Sequence, residues 1–223
     1  MDEPIRNADF SQRVVLATEA LPWEASPQPG VARRILDRIG GEVARATSLV
    51  RYAPGSTFPE HEHALGEEFL VLEGVFSDEH GDYPAGTYVR NPPASRHSPR
   101  TAAGCVIFVK LRQMSLAESV RVVIDTAAFA ADGPARLPLF EGPQSGESVA
   151  IERLRPGESR ARHTSAGGEE ILILSGDLVD AYGSYGKGTW IRTPHGMPGS
   201  GRSSAGTVFW VKRGHLPAPI RAS

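Results

Sequence analysis

GSTFPEHEHALGEEFLVLEG, residues 55–74, is the stretch on which the fold turns. His61 and His63 are two apart, and on an extended strand side chains two apart lie on one face, so both imidazoles can reach a single ion. Ala64-Leu65-Gly66 is short enough to turn the chain and bring Glu67, at the head of the next strand, to the same place. His97, in a Pro-rich loop downstream, offers a third imidazole. Three nitrogens and one carboxylate oxygen suit a divalent transition metal, and His61, His63, Glu67 and His97 are the expected ligands.

Alternation along the strand separates Glu67 from its neighbour. If Glu67 points inward with Phe69 and Val71, then Glu68 points outward with Leu70 and Leu72. Glu68 is therefore read as a structural carboxylate paired with an arginine rather than as a general base. The runs Phe69 to Leu72 and Val106 to Val109 are apolar on both faces, which predicts strands covered on both sides by a second sheet or a second subunit. A homodimer is expected on that ground.

A glycine, five residues, His-x-His, three or four residues, a glutamate, six residues and a glycine is the first motif of the cupin family. Gly55, His61, His63, Glu67 and Gly74 fit it. The looser second motif is met by Pro84-Ala85-Gly86 and by Pro93-Ala94-Ser95-Arg96-His97, although the asparagine usual after that histidine is absent. More narrowly, TSLVRYAPGSTFPEHEH, GEEFLVLEGVFSDEHGDYPAGTYVRNPP and IFVKLRQ resemble the cupin module of ChrR-type anti-sigma factors. The resemblance implies an all-β fold of double-stranded β-helix or jelly-roll barrels. It also implies a divalent metal: zinc in the first place, with iron, manganese, copper or nickel as the alternatives.

Composition agrees with that class. Hydrophobic residues make up 40%, and 24 glycines with 18 prolines suit short strands joined by tight turns. A formal net charge of −2 provides no global basic field for nucleic acid or an anionic membrane. The single cysteine, Cys105, excludes an internal disulfide and sits in an apolar run where a buried, inert thiol is expected. The polar start MDEPIRNADF and the lack of a long apolar run predict neither signal peptide nor membrane anchor, hence a cytoplasmic protein.

In order, residues 1–12 read as a flexible segment, 13–113 as the metal-binding barrel, 114–120 as a linker, 121–215 as a second barrel and 216–223 as a tail. Arg13 to Thr18 is a first strand, and LPWEASPQPG breaks the chain after it, with Trp23 expected to pack on a sheet. Arg33, Arg34 and Arg38 interleave with Asp37 and Glu42, which predicts a solvated strand face rather than a nucleic-acid surface. After the linker the pattern repeats. Arg121 to Thr126 mirrors Arg13 to Thr18, and from Pro156 onward PGESRARHTSAGGEEILILSG lies under PGSTFPEHEHALGEEFLVLEG without a gap, each residue 102 positions beyond its counterpart. The chain is read as a tandem duplication, a bicupin.

The second copy lacks part of the site. His163 answers His61 and Glu169 answers Glu67, but Ser165 stands where His63 does and Gly199 where His97 does. Two ligands rarely hold a divalent ion against water, so a degenerate site is expected, with His195 as the one residue able to swing in as a third ligand. Gly183 to Gly188 is glycine-rich, but its place under Gly81 to Gly86 predicts a hairpin rather than a phosphate-binding loop.

Two functions follow from the resemblance. One is a zinc-binding, ChrR-like sensory or regulatory module in an oxidative-stress transcriptional response, acting through a protein partner. ChrR-type proteins grip their sigma factor with a helical amino-terminal domain that has no counterpart here, so direct sigma binding in that way is not expected. The alternative is a metal-dependent cupin dioxygenase with a small organic substrate in the barrel.

Overall fold

The computed structural model describes residues 5–41, 43–126, 129, 134–142 and 146–217. Glu42, residues 1–4 of the expected N-terminal segment and residues 218–223 of the expected tail lie outside the described residues. Among those described, every regular element is a β-strand except one short 3-10 turn, Thr18–Ala20. The all-β expectation holds.

The chain forms two compact units. In the first, the main antiparallel sheet runs in the order Val122–Asp125, Thr87–Asn91, Glu67–Asp78, Cys105–Leu111, Arg45–Tyr52, Val31–Ile39 and Glu24–Ala25, and Gly81–Pro84 folds back on the end of Glu67–Asp78. A small sheet of His61–His63 and Ser95–His97 accompanies it. Phe69, Val71, Phe76, Tyr83, Val89, Ile107 and Val109 form its core, so the inward set on the central strand is the one that alternation predicts. Gly74 lies in the exposed middle of that strand with φ +71°, and a Cβ there would sit 2.0 Å from the Gly104 carbonyl oxygen. That contact is why the motif closes on glycine.

The second unit repeats this order with Val14–Ala17, Thr189–Thr193, Glu169–Asp180, Thr207–Arg213, Ser148–Leu154 and Arg136–Glu141. Ser159–Thr164 pairs with Pro198–Arg202, and Gly183–Gly186 forms a hairpin with Asp177–Asp180 as expected. The core is built from Ile171, Ile173, Leu178, Ile191, Phe209 and Val211.

The units do not coincide with the ranges 13–113 and 121–215. Val14–Ala17 pairs with Thr189–Arg192 and belongs to the second unit, whereas Val122–Asp125 pairs with Thr87–Arg90 and belongs to the first. The two strands are near copies, RVVLAT and RVVIDT, so the strings do not distinguish the two sheet edges. The exchange resembles a domain swap within one chain.

Both faces of the central strand are covered. Glu68 and Leu70 are buried on the outer side with Tyr88, Arg90 and Phe108. Glu68 accepts hydrogen bonds from the Tyr88 hydroxyl at 2.7 Å and from Arg90 Nη1 at 2.8 Å, and Arg90 Nη2 donates to Glu118 of the expected linker at 2.6 Å. Trp23 packs as expected, with the guanidiniums of Arg34 and Arg51 at 4.3 and 4.5 Å from its ring centroid. The strand Val31–Ile39 is not a solvated face. Asp37 is fully buried beside Arg45, and Arg38 turns in to the carbonyls of Gly40 and Gly41, because backbone acceptors at the strand end offset its desolvation. Among the described residues no helix is long and apolar enough to cross a membrane.

Candidate metal centre

Local geometry assembles the predicted ligands. His61 pairs across from His97 and His63 from Ser95, so the three imidazoles share one face of the small sheet. The turn at Gly66 returns the chain to Glu67, the first residue of the central strand, which pairs with Asn91 on one side and Leu111 on the other. One nitrogen from each of His61, His63 and His97 lies within 4.8 Å of the others. His63 Nε2 is 3.0 Å from His97 Nε2, and Glu67 Oε2 is 3.4 and 3.5 Å from those two nitrogens. Ligand atoms about 2.1 Å from a common ion at octahedral or tetrahedral angles are separated by about 3.0–3.4 Å, a span that the His63, His97 and Glu67 separations match, and the His61 nitrogen lies within 4.8 Å of the other two imidazoles.

The protons are arranged for the same purpose. His61 Nδ1 lies 3.0 Å from the Pro59 carbonyl oxygen, which can only accept, so that nitrogen carries the proton and Nε2 presents its lone pair. His97 Nδ1 meets Asp78 Oδ2 at 3.2 Å with the same result. Burial lowers the His63 pKa despite the nearby Glu67 carboxylate. Burial alone would raise Glu67, but His63, His97 and His61 outweigh it and hold the carboxyl below its usual range. His97 is pulled down by burial, yet Glu67 and Asp78 leave it raised. Asp78 sits at about 2, because hydrogen bonds from His97, the His80 backbone N–H and the Tyr83 hydroxyl exceed its desolvation.

Behind the ligands lies a ring that the motifs do not reveal. Asn91 Nδ2 donates to Glu67 Oε2 at 3.3 Å, and Arg121 donates from Nε to Asn91 Oδ1 at 3.0 Å and from Nη2 to the Tyr83 hydroxyl at 2.6 Å. Tyr83 in turn donates to Asp78 Oδ1 at 2.9 Å, which returns the path to His97. A signal did exist: Asp78, Tyr83 and Arg121 are matched by Asp180, Tyr185 and Arg13 in the other repeat.

A cavity of about 300 Å³ opens beside the cluster, lined by His61, His63 and Glu67 at one end, apolar side chains such as Val50, Ile107 and Val109 along its wall, and Tyr52, Arg33 and Arg112. Burial, helped by the Glu67 charge, pushes the Tyr52 hydroxyl far above its ordinary pKa, so it is a neutral donor at any physiological pH. Cys105 is buried, and its thiol is pushed up to about 11, consistent with the inert role expected.

In the second unit, two guanidiniums engage the remaining carboxylate. His163 Nε2 is 3.0 Å from Glu169 Oε2, but Arg160 Nη2 reaches the same oxygen at 2.6 Å and Arg213 Nε at 2.7 Å. Burial would raise Glu169, yet His163 and the two guanidiniums hold it well below the usual carboxylate range. Gly199 pairs opposite His163, leaving no side chain at the third position. His195 does not swing in: it is exposed, and its Nδ1 accepts a hydrogen bond from the Gly167 backbone N–H at 2.9 Å. Arg160 and Arg213 occupy the positions of Phe58 and Leu111, a substitution that inspection of ligand positions alone overlooks.

Two jelly-roll units of one pattern, the first with an inward-facing three-histidine cluster at the end of the barrel, define a bicupin. The chain belongs to the ChrR Cupin-like domain family, whose model matches residues 11–115 and 121–217. No curated protein matches it in sequence. Similar solved structures include a provisionally assigned dioxygenase from Nostoc punctiforme (14% identity, 96% of this chain and 85% of that one, TM-score 0.73). Others are the bacterial pirin YhhW from Escherichia coli in complex with nickel(II) (13%, 94% and 100%, 0.67) and a salicylate 1,2-dioxygenase from Pseudaminobacter salicylatoxidans (12%, 95% and 86%, 0.64). At these identities the likeness concerns the fold.

Proposed function

We propose that this protein is a metal-dependent enzyme of the cupin dioxygenase kind, acting on a small organic molecule in the first barrel. The observation that carries the reading is the joining of the ligand cluster to the 300 Å³ cavity, which is the size of a small-molecule site. His61, His63, His97 and Glu67 would hold the ion, and a redox-active or Lewis-acidic metal would supply the activation of oxygen or of an enolisable substrate. The apolar wall would exclude water, and Tyr52 would offer a hydrogen bond to the bound molecule. Metal analysis of protein purified without added metal, followed by oxygen uptake with a panel of small organic substrates, tests this. Iron, manganese, copper or nickel with substrate-dependent uptake supports it.

The family match favours a second reading, a zinc-binding regulatory module working through a partner protein in an oxidative-stress response. Stoichiometric zinc, no oxygen uptake, and a protein captured in a zinc-dependent manner would support that role instead. A homodimer and a cytoplasmic location remain part of the proposal, to be measured by light scattering and by cell fractionation.

A further inference from the structure

We infer that the first-barrel cavity selects small organic anions, carboxylates above all, with Arg33 as the anion-recognising residue. This rests on the small-molecule reading above and names the class of molecule the cavity takes. Val31 and Arg33 are two apart on one strand and both line the cavity, so the Arg33 side chain stands on the barrel's inner face, in a wall that joins the apolar Val31, Val50, Ile107 and Val109 to Tyr52 and Arg112. In register it lies opposite Val50, a core residue with no charge to offer. Among the described residues the Arg33 side chain makes no hydrogen bond or ion pair, and neither does that of Arg112 at the same cavity.

Among the described residues, the acids nearby are committed elsewhere. Glu24, beside Arg33 on the neighbouring strand, pairs with Arg6 at 2.5 Å; Glu62 pairs with Arg96; and Glu67 belongs to the histidine cluster. Tyr52 lines the same cavity as Glu67 and Arg33. A guanidinium in a half-buried apolar pocket is matched by a planar carboxylate, which accepts two parallel hydrogen bonds and supplies the missing charge. An anion held there would direct its apolar body along Val50, Ile107 and Val109, with its far end toward the ligands.

The test compares acids with their amides: hexanoate, benzoate and phenylacetate against hexanamide, benzamide and phenylacetamide. Binding is followed by calorimetry and by methyl NMR on both metal-loaded and chelator-stripped protein. The expected result is that at least one acid binds tenfold or more tightly than its amide in both forms, with that preference lost in Arg33→Met and partly kept in Arg33→Lys. Melting temperature and metal content check that the variants fold. Equal binding of every acid and its amide would overturn the inference. So would an acid preference that disappears with the metal and is unmoved by Arg33→Met, since anion recognition would then belong to the ion. Failure of the metal reading shows separately, as wild-type protein that takes up no metal while the stripped-protein arm still reports on Arg33.

Discussion

Arg121 Nε donates to Asn91 Oδ1 at 3.0 Å, and Asn91 donates onward to the Glu67 carboxylate at 3.3 Å. Arg121 precedes the exchanged strand Val122–Asp125, so the segment that completes the first sheet also fixes the metal centre from behind. In the second unit Arg13 reaches Asp180 at 2.7 Å and Tyr185 at 3.2 Å, but Thr193 replaces Asn91 and Gly199 replaces His97. The arginine, tyrosine and aspartate are thus a strap common to both units, and only in the first is it wired to ligands. Loss of a partner behind the ligands typically costs ~10–100-fold in metal affinity. Arg121→Met should lower affinity by about that factor, Arg121→Lys should not restore it because two partners need the planar fork, and Arg13→Met should leave metal binding unchanged. Competition with a chromophoric chelator measures all three.

One metal per chain is expected, held by the first unit. His97→Ala should abolish tight binding, whereas His163→Ala should leave the stoichiometry at one, because Arg160 and Arg213 already neutralise Glu169. Elemental analysis after dialysis checks this, and loss of a second equivalent in His163→Ala would show that the second unit does bind.

Glu169 gives a pH dependence with a definite sign. Its folded pKa lies below its unfolded value near 4.5, so its stabilising contribution is fully present above about pH 4.5 and is lost as pH falls toward the folded value. Removing one partner of a buried charge network costs about 3–5 kcal/mol, and Glu169 is 3% exposed. Glu169→Gln should therefore melt lower than wild type at pH 7, with the gap narrowing in acid. Thermal unfolding from pH 7 to pH 3 is the measurement, and a gap that widens in acid would show that another group is responsible.

The sequence made the strands, the duplication and the clustering of His61, His63 and His97 legible because each is a local pattern: alternation, a repeated string, a spacing. Which edge a strand joins is not local. RVVLAT and RVVIDT are interchangeable as strings, and only their pairing shows that they cross over. The ring behind the ligands was hidden for the same reason, since Tyr83 and Asn91 come from separate strands and Arg121 from the segment just before a third. Asp37 and Arg38 were misread as solvated because their partners, Arg45 and two backbone carbonyls, are tertiary.

Glu67 and Glu68 are adjacent and chemically identical, yet they should fail in different ways. Glu67 Oε2 faces His63 and His97 at 3.4 and 3.5 Å, while Glu68 Oε2 lies across the sheet against Tyr88 and Arg90. Replacing the first with glutamine substitutes a neutral oxygen for an anionic one at the ion, so Glu67→Gln should weaken metal binding at least tenfold while stability of the metal-free protein changes little more than the lost Asn91 contact. Glu68→Gln instead leaves the fully buried Arg90 facing a neutral amide, with Glu118, itself half-buried, as its remaining carboxylate. Breaking such a buried pair costs about 3–5 kcal/mol, so Glu68→Gln should lower the melting temperature and keep its metal. The two variants, purified side by side and assayed for metal affinity and unfolding, separate the roles. Metal retention by Glu67→Gln with metal loss in Glu68→Gln would require the central strand to be shifted by one residue, since a single step exchanges the two faces.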